Sequence, residues 1–179
     1  MTAPPPPLEF EHTIPITARP EAVLGAFFDP SVLPLWWDTV RSVTTPRALG
    51  VYAVEWDATP FRDELLGTLG GVFYGTVMDY RPGRSFSLAG AYWLPPDSLA
   101  FGPMALDVRC RTRGTSTRLE VRQSGSDEGP RWERYYRVIS TGWETSLVAL
   151  KHYLERGHPP RGRAGERAAG RAGRSERRR

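Results

Sequence analysis

Residues 130–156, PRWERYYRVISTGWETSLVALKHYLER, decide the fold. Trp132, Tyr135, Tyr136, Ile139, Trp143, Leu147, Leu150 and Leu154 recur there at spacings of three and four, the period of one face of a helix. The stretch predicts a long amphipathic helix with one apolar stripe to bury. Pro130 suits a first helical turn, and Gly157 followed by Pro159 supplies a stop. Gly142 inside the helix costs about 1 kcal/mol against alanine, and predicts close approach of a neighbouring backbone.

Upstream, the period changes from 3.6 to two. Leu106, Val108, Cys110 and Thr112 alternate with Asp107, Arg109, Arg111 and Arg113; after Gly114, Thr117, Leu119, Val121 and Gln123 alternate with Arg118, Glu120 and Arg122. That is an antiparallel hairpin with one dry and one wet face. Val72–Tyr80 and Arg84–Trp93 form a second hairpin, joined by Arg81-Pro82-Gly83, a type II turn signal. Leu94–Pro103, with three prolines, reads as a loop. Val40–Thr44 and Leu49–Trp56 read as strands, and Asp57–Gly71 as a loop with one helical turn at Phe61–Leu66. At the start, Leu8, Phe10, His12, Ile14 and Ile16 alternate as a strand; two short helices follow, Pro20–Phe28 and Val32–Trp37. Strands and helices are segregated along the chain, so the fold class is α+β: an antiparallel sheet curled around one long C-terminal helix.

The 179 residues suit one domain with tails. No run approaches the roughly 20 apolar residues of a membrane span. Met1–Pro7 has neither the basic nor the apolar region of a secretory signal, so a cytoplasmic location is expected. The net charge of +4 is unevenly placed: residues 156–179 hold nine Arg against Glu166 and Glu176, so residues 1–155 carry −3. Residues 1–7 (Pro-rich) and 158–179 (Arg-rich) lack the apolar content to offset the entropy of ordering, and both are expected to be disordered around a domain at 8–157. The tail could bind nucleic acid or an anionic surface. It has no aromatic residue to stack on bases, however, and a solubilising role is favoured. Arg outnumbers Lys 23 to one, with no Asn, a bias of G+C-rich coding rather than of guanidinium chemistry.

A set of ordered landmarks carries a family resemblance: Ile16–Val23, Asp29-Pro30, Trp36-Trp37, Gly75–Gly83, the strand at Thr115–Gly125, and Gly142–Gly157. Together they resemble the START-like, or SRPBCC, superfamily, in the branch related to the activator of the Hsp90 ATPase and to calicheamicin-resistance-type proteins. The resemblance covers about residues 8–157. It implies a helix-grip fold, a seven-stranded antiparallel sheet holding a C-terminal helix, with an internal cavity that binds apolar small molecules in many members. It implies no shared catalytic residue.

Such a cavity needs apolar and aromatic walls with few polar anchors. Period and position nominate Trp36 and Trp37 at its mouth, Tyr74 and Trp93 on the sheet wall, and Tyr136 and Trp143 on the helix, with Tyr92 and Met104 nearby. Indole adds an N–H donor to a flat apolar wall. The expected partner is an apolar or aromatic small molecule. Other chemistry is thinly represented. The histidines His12, His152 and His158 show no ligand spacing, the single Cys110 sits at an inward position, and neither G-x-S-x-G nor a phosphate loop occurs. No metal or cofactor is implied. An inward Glu55 with a raised pKa could serve a cyclase or hydrolase in the same cavity. Binding is favoured over catalysis, with a chaperone-binding module as a third alternative.

Overall fold

A computed structural model describes residues 8–157. The Pro-rich leader and the Arg-rich tail, with His158, lie outside the described residues. The chain runs β1 (Glu9–Ile16), α1 (Pro20–Gly25), α2 (Leu33–Trp37), β2 (Arg41–Thr44), β3 (Val51–Trp56), β4 (Arg62–Asp63), β5 (Gly67–Thr68), β6 (Gly71–Arg81), β7 (Ser85–Leu94), β8 (Phe101–Arg113), β9 (Ser116–Ser124) and α3 (Pro130–Arg156). Seven strands form one antiparallel sheet in the order β1-β9-β8-β7-β6-β3-β2, and α3 packs across its inner face. The fold is α+β, a helix grip. Among the described residues, no helix is long and apolar enough to cross a membrane.

Local chemistry explains each turning point. At the β6–β7 turn Arg84 N–H donates to Arg81 O (2.9 Å), and Gly83 takes a φ of 66° that L side chains rarely adopt. In the β8–β9 hairpin Leu106, Val108, Leu119 and Val121 are fully buried, while Asp107 faces Arg122 and Arg109 faces Glu120 across the wet side. Pro20 opens α1, and the Trp36 indole N–H donates to Ala26 O (3.0 Å), fixing α2 against the exit of α1. Gly157 closes α3 in the left-handed region, its N–H donating to Tyr153 O (2.9 Å).

Three expectations need correction. The Phe61–Leu66 segment forms no helical turn; Asp63 accepts from the Leu65 and Leu66 N–H groups (2.9 and 3.1 Å), bending the chain into the β4–β5 pair with Leu66 buried. A local side-chain bond competed with the helix and won. The loop after β7 is shorter than its prolines suggest, because β8 begins at Phe101, whose buried ring stacks on Trp93 at 5.5 Å. No neighbouring backbone approaches Gly142: a Cβ built there meets nothing within 4 Å.

Candidate functional site

A cavity of about 330 Å³ lies between the first half of α3 and the inner face of the sheet. On the helix, Tyr135, Ile139, Gly142, Trp143 and Ser146 line it, one stripe at helical spacing. Across from them stand Phe73 of β6, Trp93 of β7 and Gln123 of β9. Trp37 and Asp38 at the end of α2, with Trp56 packed against Trp37, and Thr59, Leu69 and Gly70 complete the lining. Asp38, Thr59 and Gly142 are exposed, so the mouth opens where α2, the 57–70 segment and α3 converge.

Hydrogen bonds hold the rings apart. Trp56 N–H donates to Trp37 O (2.7 Å), and Trp93 N–H donates to Gly70 O (2.8 Å). Trp143 N–H donates to Gln123 Oε1 at 3.3 Å. These bonds fix each indole in plane and position, so it cannot swing inward to fill the space. They also spend the Trp93 and Trp143 N–H groups, two of those that the wall was expected to offer a ligand. Deep in the wall the polar groups are those of Gln123, 1% exposed, and Tyr135: the Gln123 amide donates to the Tyr135 hydroxyl oxygen (2.7 Å) and points at Met104 Sδ (3.2 Å). Asp38, Thr59 and Ser146 add further polar groups to the lining. Burial pushes the Tyr135 phenol far above its ordinary pKa, so it stays protonated.

The segment over the mouth is pinned at two points. Asp63 Oδ2 accepts from Arg134 Nε and a terminal guanidinium nitrogen, both at 2.7 Å, which ties β4 to α3. The hydrogen bond from Arg134 holds the Asp63 carboxyl below its usual range, against the desolvation that would raise it. Asp97, after β7, accepts from the Thr68 N–H and hydroxyl (both 2.8 Å) and from Arg62, which secures β5.

Of the six nominated residues, Trp37, Trp93 and Trp143 line the cavity. Trp36 lies behind the wall, stacked on Trp37 at 4.9 Å with planes 8° apart. Tyr136 also lies behind it, packed edge-on to Phe10 (6.1 Å), its hydroxyl donating to Gly125 O (2.6 Å). Tyr74 is on the wrong face. It is 39% exposed and stacks on Tyr92 outside the sheet (5.7 Å), because the period of two turns its neighbour Phe73 inward. Glu55 likewise faces out, in a bidentate pair with Arg41 (2.7 and 2.9 Å) that holds its pKa down rather than up. Cys110 is buried, and burial pushes its thiol up to about 12. Among the described residues, no group of His, Cys, Asp or Glu is placed to hold a metal. Gln123 and Tyr135 were legible as inward positions, yet polarity hid the first and Tyr136 overshadowed the second.

No family model matches the sequence, and no curated protein matches it. Solved structures do match. Protein MLL2253 from Mesorhizobium loti aligns with a TM-score of 0.64 at 20% identity, over 85% of this chain and 100% of that one. The Aha1 dimer from Colwellia psychrerythraea aligns with a TM-score of 0.60 at 20% identity, over 85% and 99%. The fold is the helix grip that these structures share. CalU16 from Micromonospora echinospora shares this helix-grip fold with a TM-score of 0.57 at 17% identity, over 83% and 77%. At these identities the likeness carries the helix-grip architecture and no activity.

Proposed function

We propose that the domain of residues 8–157 is a cytoplasmic binding protein that holds an apolar small molecule between α3 and the sheet. The observation that carries this reading is the hollow itself, ringed by aromatic side chains, with the indole N–H groups of Trp56, Trp93 and Trp143 tied to the protein. At about 24 cal/mol per Å³, leaving about 330 Å³ unfilled forgoes up to about 8 kcal/mol of packing. Water at the mouth makes that an upper bound. A space of this size falls at the small end of ligand pockets, suited to a compact guest. Catalysis by a buried carboxylate lacks its residue, since Glu55 faces out and the one carboxylate on the wall, Asp38, stands at the rim.

The test is native mass spectrometry of the protein from its own cells, with Gly142→Phe beside wild type. Wild type is expected to carry a retained small molecule that Gly142→Phe lacks, because a ring at 142 enters open space beside the cavity. If both carry nothing, or carry the same adduct, the reading fails.

A further inference from the structure

The Gln123–Tyr135 pair has hydrogen-bonding capacity left over, and counting it specifies what can meet it. The Trp143 indole can only donate, so the oxygen of the Gln123 amide must face it, which fixes the amide orientation. Both amide protons are then directed at Tyr135 Oη and Met104 Sδ. The Tyr135 oxygen therefore accepts, and its own proton has no acceptor among the described residues. Gln123 Oε1, holding one long bond of 3.3 Å, keeps a second lone pair. One donor and one acceptor thus remain, on adjacent side chains that both line the cavity.

The charge of the wall narrows the choice further. No Lys or Arg lines the cavity, and Asp38 stands at the mouth. An anionic guest would pass a like charge and lose its hydration with no cation to replace it. The rings on the wall favour a flat partner.

We propose that the cavity selects neutral hydroxylated aromatic molecules, of bicyclic size, whose hydroxyl oxygen accepts from Tyr135 O–H and whose hydroxyl proton is donated to Gln123 Oε1. The proposal rests on the cavity being a ligand site. A single hydroxyl satisfies both open positions; an ether oxygen meets only the donor, a methyl group meets neither, and a carboxylate adds a charge.

Titration calorimetry at pH 7 with four naphthalenes tests this ladder. 2-Naphthol is expected to bind tightest, 2-methoxynaphthalene roughly three- to tenfold weaker and 2-methylnaphthalene weaker again by a similar factor, with 2-naphthoate last. Transfer from water alone would favour 2-methylnaphthalene over 2-naphthol, so the order cannot arise from hydrophobicity. Tyr135→Phe is expected to bring the methoxy compound level with the methyl compound, and Gln123→Met to bring 2-naphthol level with the methoxy compound. The wild-type ladder is read without either variant. If 2-methylnaphthalene binds as tightly as 2-naphthol and Gly142→Phe abolishes both, the polar selection is wrong while the binding site stands. If none of the four binds, the selection is wrong, and the retained-molecule measurement separately decides the site.

Discussion

Toward the C-terminal end of α3, Leu147 and Leu150 are buried in one core with Ile16, Leu24 and Leu119, none more than 2% exposed and none lining the cavity. One to three turns before Leu147 the same helix face carries Trp143 and Tyr135, and the sheet opposite carries Phe73 and Trp93 around about 330 Å³ of space. One helix stripe is filled at one end and hollow at the other. The difference is in the side chains: aliphatic residues interdigitate and close gaps, whereas rings anchored through their polar atoms to Gly70, Gln123 and Trp37 keep their stations. The aliphatic end supplies cohesion that the aromatic end gives up.

Truncation should break the two ends differently. Leu150→Ala is expected to destabilise by about 2–5 kcal/mol in urea unfolding, as a fully enclosed leucine does, with guest affinity of the folded protein unchanged. Asp63→Asn, which loosens the segment over the hollow end, is expected to cost about 1–2 kcal/mol, discounted because Arg134 is part-solvated. Its cost should depend on pH. The Asp63 carboxyl is held below its unfolded value near 4, so its contribution is present above about pH 4 and lost as pH falls through the lower folded value. Unfolding midpoints of wild type and Asp63→Asn should therefore converge on acidification; a constant gap between pH 7 and pH 3 would show that Asp63 acts by packing alone.

Smaller effects sharpen the contrast. Gly142→Ala is expected to stabilise by up to about 1 kcal/mol, since the new methyl group meets nothing and alanine is the better helix former; destabilisation would mean the backbone there closes in solution. Cys110, nearer the filled end, should label slowly with a thiol reagent at pH 8, because burial holds the thiol near pKa 12. Labelling as fast as in the urea-unfolded chain would contradict a tight core there. Tyr74→Ala should leave guest affinity unchanged where Phe73→Ala weakens it, as calorimetry would show.

The architecture was legible because it rests on periods. The stripe from Trp132 to Leu154 and the alternation from Leu106 to Gln123 specify α3 and the β8–β9 hairpin without reference to anything distant. The site was legible only in part. Trp93 and Tyr74 are both aromatic strand residues, and the face each takes depends on a register shared with neighbouring strands. Phe73 and Tyr135 could be found by taking the period strictly, choosing the residue beside each nominated tyrosine. Trp56 was legible too, since the period of two puts it on the face of β3 that carries buried Tyr52 and Val54. Leu69 and the Asp63–Arg134 tie could not be found that way, because the path of the 57–70 segment is set by side-chain bonds, one of them between residues 71 positions apart.

The stacked pair at Trp36 and Trp37 continues into Trp56 and Trp143, with ring centroids 4.9–5.2 Å apart at every link. Four of the six tryptophans thus form one contiguous cluster of indoles. A molecule lodged against Trp143 is expected to change the intrinsic fluorescence of that cluster, which would report the proposed occupancy without an added label.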